Sequence, residues 1–425
     1  MVKLAEAQPS QVTEPELAPG ARMTELRSLP EGWRIVELGE LGKEFFGGGT
    51  PSTKNPRYWG GNIAWTTSAC IDGLYLTAGA KTITTEGLKN SSSRLVPKNN
   101  LLVGTRVGVG KVAINLIDVA ISQDLTAVIV DQDAASLEFL AFALSTGLAQ
   151  DRFRLSTRGT TIKGIPRDDL QRIPIPLPPL KEQRAIAAVL CAVRQAKEAT
   201  EKVVAATREL KKSLMHHLFT YGPIALDQVD KVPLKETPVG EVPAHWNVGR
   251  LDQFIRLQRG FDLPKQARQP GTVPVVSSSG ITGYHNEMKI KGPGVVTGRY
   301  GSIGEVHFVE GDFWPLNTTL FVTEFFRNDS RYVAYFLTTL NLAAFNDKTS
   351  VPGINRNHLH AMTVTMPPLS EQCDIASQLT AIDAKLAVEE SRRAALDNLF
   401  SSLLHDLMTG KVRVKEVLFQ SESLV

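Results

Sequence analysis

The chain has 425 residues, 42% of them hydrophobic and 21% charged, which is the composition of a globular protein with length for two or three domains. No run of about 18 apolar residues occurs, so a membrane span is excluded. A formal net charge of only +3 excludes a basic coat, and any anion-binding surface has to be local. Cys70, Cys191 and Cys373 are too far apart for a C-x-x-C zinc motif or a disulfide framework, which points to a reducing cytoplasm.

In chain order, residues 1–27 are rich in Pro, Glu and Gln and lack an apolar signal core, so they read as a flexible tail. Residues 28–178 form the first domain. It opens on Pro-x-x-Trp ending at Trp33, continues through short β-type segments such as Leu101–Gly108, and includes an amphipathic helix near Leu137–Leu148. Frequent Gly, Ser and Asn predict an irregular, turn-rich sheet. The proline-rich stop Ile173–Leu180 ends the domain, because proline continues neither a helix nor a central strand. Residues 179–222 form a long helix and 223–240 a linker. Residues 241–366 form a second domain with the same internal order: Pro-x-x-Trp ending at Trp246, a β-segment Gly294–Gly301, a helix near Tyr332–Leu342 and a Met-Pro-Pro-Leu stop. A second long helix over 367–412 and a tail over 413–425 complete the chain.

The second domain and helix repeat the first. GIPRDDLQRIPIPLPPLKEQ (Gly164–Gln183) aligns without gaps on GINRNHLHAMTVTMPPLSEQ (Gly353–Gln372) at an offset of 189, with nine of twenty positions identical. EFLAFALST (Glu138–Thr146) matches RYVAYFLTT (Arg331–Thr339) at an offset of 193, and Arg106-Val107-Gly108 matches Arg299-Tyr300-Gly301 at the same offset.

The long helices carry stripes at alternating spacings of four and three. On the first the stripe runs through Val189, Val193, Ala196, Thr200, Val203, Thr207, Leu210 and Leu214. On the second it takes Ile375, Leu379, Ile382, Leu386, Leu396, Phe400, Leu403 and Leu407, interrupted by Glu389 and Arg393. Such a seam wants a partner helix, although packing on the helix's own domain would produce a similar pattern. Charge favours the partner: Leu180–Gly222 carries a net +4 and Leu369–Val412 a net −3, which promotes pairing with each other over self-pairing. The expected fold is therefore α+β, with two mixed domains of irregular β-sheet joined by two long antiparallel coiled-coil helices about a pseudo-two-fold axis. Such a dyad suits duplex DNA.

At this point the sequence resembles the specificity (S) subunits of type I restriction–modification enzymes. The carriers are the repeated Pro-x-x-Trp starts, the repeated PPLxEQ at each long helix, the helix ends LMHHLFTYG (Leu214–Gly222) and LLHDLMTGKV (Leu403–Val412), and loop segments such as Gly47–Trp65 and Ser277–Glu287. The resemblance implies a non-catalytic subunit whose two target-recognition domains each read half of a bipartite site in double-stranded DNA. It also implies methyltransferase (M) subunits that methylate adenine and restriction/translocase (R) subunits that cleave with ATP. S-adenosylmethionine, ATP and Mg would belong to those partners, with no cofactor in this chain.

Residue chemistry supplies candidate DNA contacts, because phosphates need Lys, Arg, Ser, Thr or backbone N–H groups on Gly-rich segments, and bases need Arg, Asn, Gln or Lys. In the first half these are Thr50, Ser52, Thr53, Lys54, Arg57, Tyr58, Arg106, Lys163 and Arg167. In the second they are Ser277, Ser278, Tyr284, His285, Asn286, Arg299, Arg356 and Asn357. Arg106 and Arg299 would equally serve as intradomain ion-pair residues.

Three motifs suggest other chemistry. Asn55-Pro56-Arg57-Tyr58 approaches the Asn-Pro-Pro-Tyr of amino-methyltransferases, but Arg57 replaces a proline, and a turn is the better reading. Gly108–Ala113 fits G-x-G-x-x-A, yet Val112–Val119 is β-branched, which favours a tight hairpin. His216, His217 and His405 read as helix-end histidines rather than a metal site. The alternative function, a complete adenine methyltransferase or fused restriction–methylation enzyme, needs a catalytic domain for which two recognition domains and two helices leave no room.

Overall fold

The structure, a computed structural model, describes residues 2–4, 29–158, 164–345 and 353–414. These fall into two compact units, one containing residues 29–201 and 391–414, the other 2–4 and 202–390. The helices are α1 (Thr85–Lys89), α2 (Leu137–Ser145), α3 (Gly147–Ser156), α4 (Arg167–Gln171), α5 (Leu180–Tyr221), α6 (Ser330–Thr339), α7 (Arg356–His360) and α8 (Leu369–Met408). The long helices α5 and α8 each contribute their first half to one unit and their second half to the other.

Both units are built on the same antiparallel sheet. In the first, the strand order is Gly42–Gly47, Leu125–Val130, Asn100–Gly104, Val112–Asn115. In the second it is Arg256–Arg259, Thr319–Glu324, Gly294–Gly298, Val306–Val309. A parallel strand is added at the same edge of each, Tyr75–Leu76 in one and Val2–Leu4 in the other. Those three N-terminal residues are thus part of a sheet, a correction to reading all of 1–27 as a tail: the segment Val-Lys-Leu offers backbone donors and acceptors to an open sheet edge. The rest of that segment, to residue 28, lies outside the described residues.

The first proline-rich stop is itself an edge strand, and in the second unit the edge strand ends at Met366, just before Pro367 and Pro368. Pro174–Leu177 pairs with Arg34–Glu37, and Thr363–Met366 with Asn247–Arg250, each in an isolated two-stranded ribbon, where a missing N–H costs least. The Gly108–Ala113 segment is a hairpin between Asn100–Gly104 and Val112–Asn115, and Gly108 and Gly110 both take a positive φ. The short helix expected over Leu137–Leu148 ends at Ser145, because Thr146 leaves the helical region and its hydroxyl caps α3 at Ala149 N. The polar composition of α3 concealed it.

The Glu and Gln of PPLxEQ have the same partners in both units. The Trp33 indole donates to Glu182 at 3.1 Å and the Trp246 indole to Glu371 at 2.9 Å. Gln183 accepts from Ser136 N and donates to Pro178 O; Gln372 accepts from Asp329 N and donates to Pro367 O. One dipeptide therefore ties the first turn of each long helix to the start of its domain and to the turn before its short helix. The second carboxylate oxygen differs: Arg413 binds both oxygens of Glu182, whereas His245 Nε2 meets Glu371 at 2.5 Å.

The helix stripes pack on both kinds of partner at once. In the first unit Ile186, Ala187 and Leu190 of α5 and Phe400, Leu403, Leu404, Leu407 and Met408 of α8 share one core with α2. In the second, Ile375, Ala376 and Leu379 of α8 and Leu214, Met215, Leu218 and Phe219 of α5 share a core with α6. The end of one helix beside the start of the other makes the pairing antiparallel within each unit.

On α8 the packed row is the expected one, with Ile375, Leu379 and Leu386 buried and Ile382, Leu396 and Leu403 half-buried. On α5 the expected row needs correction. Val189, Val193 and Leu214 are half-buried, but Val203 and Leu210 are 39% and 58% exposed, while Thr200, Val204, Thr207 and Lys211 are buried. The packed row runs Ile186, Leu190, Val193, Lys197, Thr200, Val204, Thr207, Lys211, Leu214, Leu218. Its lysines hid it from a hydrophobic reading. They are tolerated because Lys211 ion-pairs with Asp383, and Lys197 with Asp397 at 2.5 Å.

Trp246 is only 1% exposed, so its indole needs an acceptor. Glu371→Ala should destabilise the protein by about 1–3 kcal/mol, the cost of a buried donor left unpaired. Glu371→Gln, which keeps an acceptor, should lose less. Urea titration of the two variants checks this order.

Candidate nucleic-acid interface

In the first unit a cleft of about 950 Å³ is lined by Gly47, Gly48, Ser91–Arg94, Thr105, Arg106, Gln123, Leu125, Thr126, Arg158 and Gly164–Arg167. The hairpin after Asn100–Gly104 supplies Arg106, and the first turn of α4 supplies Arg167. Backbone bonds hold the two segments together, Thr105 O accepting from Ile165 N at 2.8 Å. Four guanidinium groups line the cleft. Arg94 is paired with Glu44 and Arg158 with Asp169; Arg106 and Arg167 are exposed and have no ion pair among the described residues. The cleft therefore carries uncompensated positive charge beside Gly47–Gly48 backbone and the polar side chains of Ser91, Ser92 and Gln123.

Of the residues expected from sequence, the cleft brings together Arg106 and Arg167, and Thr50 reaches its edge by donating to Gln123 at 2.7 Å. Ser52, Thr53, Lys54 and Arg57 are exposed on the neighbouring loop, with Tyr58 half-buried. Asn55 caps a short 3-10 turn, Pro56–Tyr58, by accepting from Arg57 N at 3.1 Å, and the Arg57 and Tyr58 carbonyls are held by Thr84. Lys163 lies outside the described residues. Sequence reading missed Ser91, Ser92, Arg94, Gln123 and Arg158. The run Ser91-Ser92-Ser93 next to Arg94 was a visible signal, but only the fold puts it opposite Arg106.

In the second unit three expected contacts need correction. Ser277 and Ser278 are each 8% exposed. Ser277 Oγ donates to Gly280 O and accepts from Ser279 N across a tight hairpin, and the Ser278 carbonyl accepts from His307 Nε2 at 3.2 Å. His285 is 6% exposed, accepts from Gln269 N at 3.0 Å and packs edge-on against Trp314. Ser277 Oγ and the His285 ring are thus occupied within the domain, and Ser278 is buried with its carbonyl held by His307. Tyr284 and Asn286, which flank His285, are exposed, as are Arg356 and Asn357 in the first turn of α7.

The expected equivalence of Arg106 with Arg299 is also corrected, by one residue. Thr105 N and Arg106 N both donate to Asp124 O, whereas Arg299 N and Tyr300 N both donate to Thr318 O. Arg106 therefore corresponds to Tyr300, and Arg299 to Thr105. Arg299 is half-buried with its guanidinium 4.3 Å from the centroid of the Tyr300 ring. The hairpin sets this register through its own glycine turn, independently of the identical Arg letters.

Each β-rich domain is thus mortised between the start of one long helix and the end of the other, and carries polar loops and exposed arginines. The family model described as "Type I restriction modification DNA specificity domain" matches residues 30–206 and 243–398, and the chain belongs to that family. It is similar to the type I restriction enzyme MjaIX specificity subunit of Methanocaldococcus jannaschii, 24% identical over 93% of this chain and 96% of that one. It is also similar to the EcoprrI specificity subunit of Escherichia coli, 24% identical over 79% of this chain and 84% of that one. The crystal structure of the type I restriction–modification S subunit from M. genitalium shares the fold, with a TM-score of 0.65, 16% identity, and coverage of 89% of this chain and 96% of that one. The protein is the DNA specificity subunit of a type I restriction–modification system, a non-catalytic component of that complex, and the cofactors reside in the methyltransferase and restriction subunits. No described helix is long and apolar enough to cross a membrane.

The correction at His285 has a measurable consequence. His285→Ala should lower stability by about 1–3 kcal/mol through its orphaned backbone donor, while the fraction that remains folded keeps its DNA affinity. Thermal unfolding and a titration of labelled duplex, run on one preparation, separate the two effects.

Proposed function

We propose that the cleft around Arg106 and Arg167 reads one half of a bipartite DNA site and that the second recognition domain reads the other. The two domains are taken as residues 28–178 and 241–366. The observation that carries this reading is the pair of exposed guanidinium groups without ion-pair partners among the described residues, set in a glycine-floored cleft beside Ser91, Ser92 and Gln123. Arginine is suited to bidentate contact with guanine or phosphate, and serine and glutamine to either base edges or phosphate. In the second domain Tyr284, Asn286, Arg299, Arg356 and Asn357 remain the contact candidates. The long helices would dock M subunits, which methylate adenine with S-adenosylmethionine. R subunits, using ATP and Mg, would complete a cytoplasmic complex that cleaves unmodified DNA.

The alternative, a complete methyltransferase, draws no support from Asn55–Tyr58. The Asn55 side chain is occupied in capping its own turn, and Arg57 stands where the motif needs proline.

Sequencing adenine methylation in cells that carry this chain with its M subunits tests the proposal. Arg106→Ala with Arg167→Ala should weaken or relax one half of the methylated motif and leave the other half unchanged. The expected effect is about 1–3 kcal/mol of discrimination for each base that either guanidinium reads. An unchanged motif at unchanged methylation efficiency would remove the cleft from recognition.

A further inference from the structure

Where the long helices pack on the β-rich domains, repeat-equivalent positions carry different chemistry. In the second unit Lys211 of α5, Asp383 of α8 and Tyr335 of α6 form one cluster. Lys211 Nζ ion-pairs with Asp383 Oδ1, and the Tyr335 hydroxyl donates to Asp383 Oδ2 at 2.7 Å. The Lys211 ammonium lies 5.6 Å from the centroid of the Tyr335 ring. The Lys211 and Asp383 side chains are 6% and 16% exposed. Burial, with Asp383 beside it, holds the Tyr335 hydroxyl above the ordinary tyrosine pKa, so it remains a donor.

The repeat offsets of 189 and 193 carry these three residues onto Phe400, Arg194 and Phe142 of the first unit. There the Phe142 and Phe400 rings meet edge-on, with centroids 6.0 Å apart and planes at 61°. Arg194 pairs with Glu198 of its own helix at 2.9 Å. One junction is Lys–Asp–Tyr and the other is Phe–Arg–Phe, in the same three places.

The consequence appears when a helix is set against a second copy of itself. A copy of α5 in the place of α8 would bring Lys211 to the position of Phe400, against the Phe142 ring and beside Arg194, which already holds Glu198: the ammonium would lose Asp383 and gain no carboxylate of its own. A copy of α8 in the place of α5 would bring Phe400 against Asp383 and Tyr335, burying the carboxylate without its cation. A buried charge deprived of its partner costs far more than the intact pair contributes.

The flanking ion pairs act in the same direction on α8. Lys197 pairs with Asp397, and Arg208 with Glu390. By the same offset, self-pairing of α8 would place Asp397 opposite Glu390, whereas in self-paired α5 Arg208 would meet Lys197 but also Glu201, which takes the place of Glu390. Repulsion of this kind is how coiled-coil pairs exclude wrong partners.

We propose that the Lys211–Asp383–Tyr335 cluster and the Phe142–Phe400 ring pair at the repeat-equivalent positions form a pairing code that commits the first half of the chain to the second half and rejects a second copy of itself. The code ensures that two different recognition domains, rather than two identical ones, are presented together. It deepens the functional reading above but rests only on the packing within each unit, so its test involves no DNA.

The test is a transplant in the full-length chain, followed by thermal unfolding. Phe400→Lys alone should lower the melting midpoint by about 4–8 °C. Adding Arg194→Asp and Phe142→Tyr, which moves the whole Lys–Asp–Tyr set into the first unit, should recover at least half of that loss. A triple variant no more stable than Phe400→Lys would overturn the code. The reciprocal variant covers the case in which Phe400→Lys does not fold. Lys211→Phe with Asp383→Arg and Tyr335→Phe makes the two junctions alike. When two differently tagged batches of this folded variant are refolded together at high concentration, mixed-tag oligomers should form that wild-type chains do not form. Equal mixing by variant and wild type would contradict the proposal.

Discussion

Neither β-rich domain closes its core with its own residues alone. The first is sealed by Leu407 and Met408 from the end of α8, and the second by Leu218 from the end of α5. Each long helix thus starts on the domain that precedes it and ends in the core of the other. Burial of these side chains, worth about 1.5–3 kcal/mol each, ties domain stability to helix pairing. A recognition domain of this protein is a composite of distant parts of the chain.

That arrangement accounts for the most regular part of the sequence. A helix serving two cores must leave its first domain in a fixed direction, and the Glu-Gln dipeptide after Pro-Pro-Leu fixes it. The Glu binds the opening tryptophan and the Gln binds the turn before the short helix. The joint needs the same residues twice because it does the same mechanical task twice. The recognition loops are under no such requirement, and the two units differ most there: an arginine-lined cleft in one, and a serine hairpin braced by buried histidines in the other.

The repeat, both long helices, the strand before each glycine hairpin and the α8 row were legible because each rests on local pattern: period, proline stops and identical joints. The α5 row holds at Val193, Thr200, Thr207 and Leu214 but is one step off at Val203 and Leu210, where Val204 and Lys211 pack, because Lys211, like Lys197, has its partner on another helix. Ser277, Ser278 and His285 look like ligand-binding residues in a polar loop, but Ser277 bonds across its own hairpin, the Ser278 carbonyl is held by His307, and His285 accepts from Gln269 N. Arg299 shares a letter with Arg106 without sharing its position, since hairpin register depends on backbone pairing. Arg158, Gln123 and Ser92 were not legible as site residues, because only tertiary folding brings them to Arg106.

The dependence of each domain on the far helix end can be measured directly by hydrogen exchange on the full chain carrying Leu218→Ala. Leu218 is 1% exposed and follows the first domain in sequence, yet it packs in the second core. Exchange should accelerate across the sheet strands of 256–324 and helix α6, with the strands of 42–130 retaining their protection. Loss of protection in the first domain, with the second unaffected, would contradict the composite-core account.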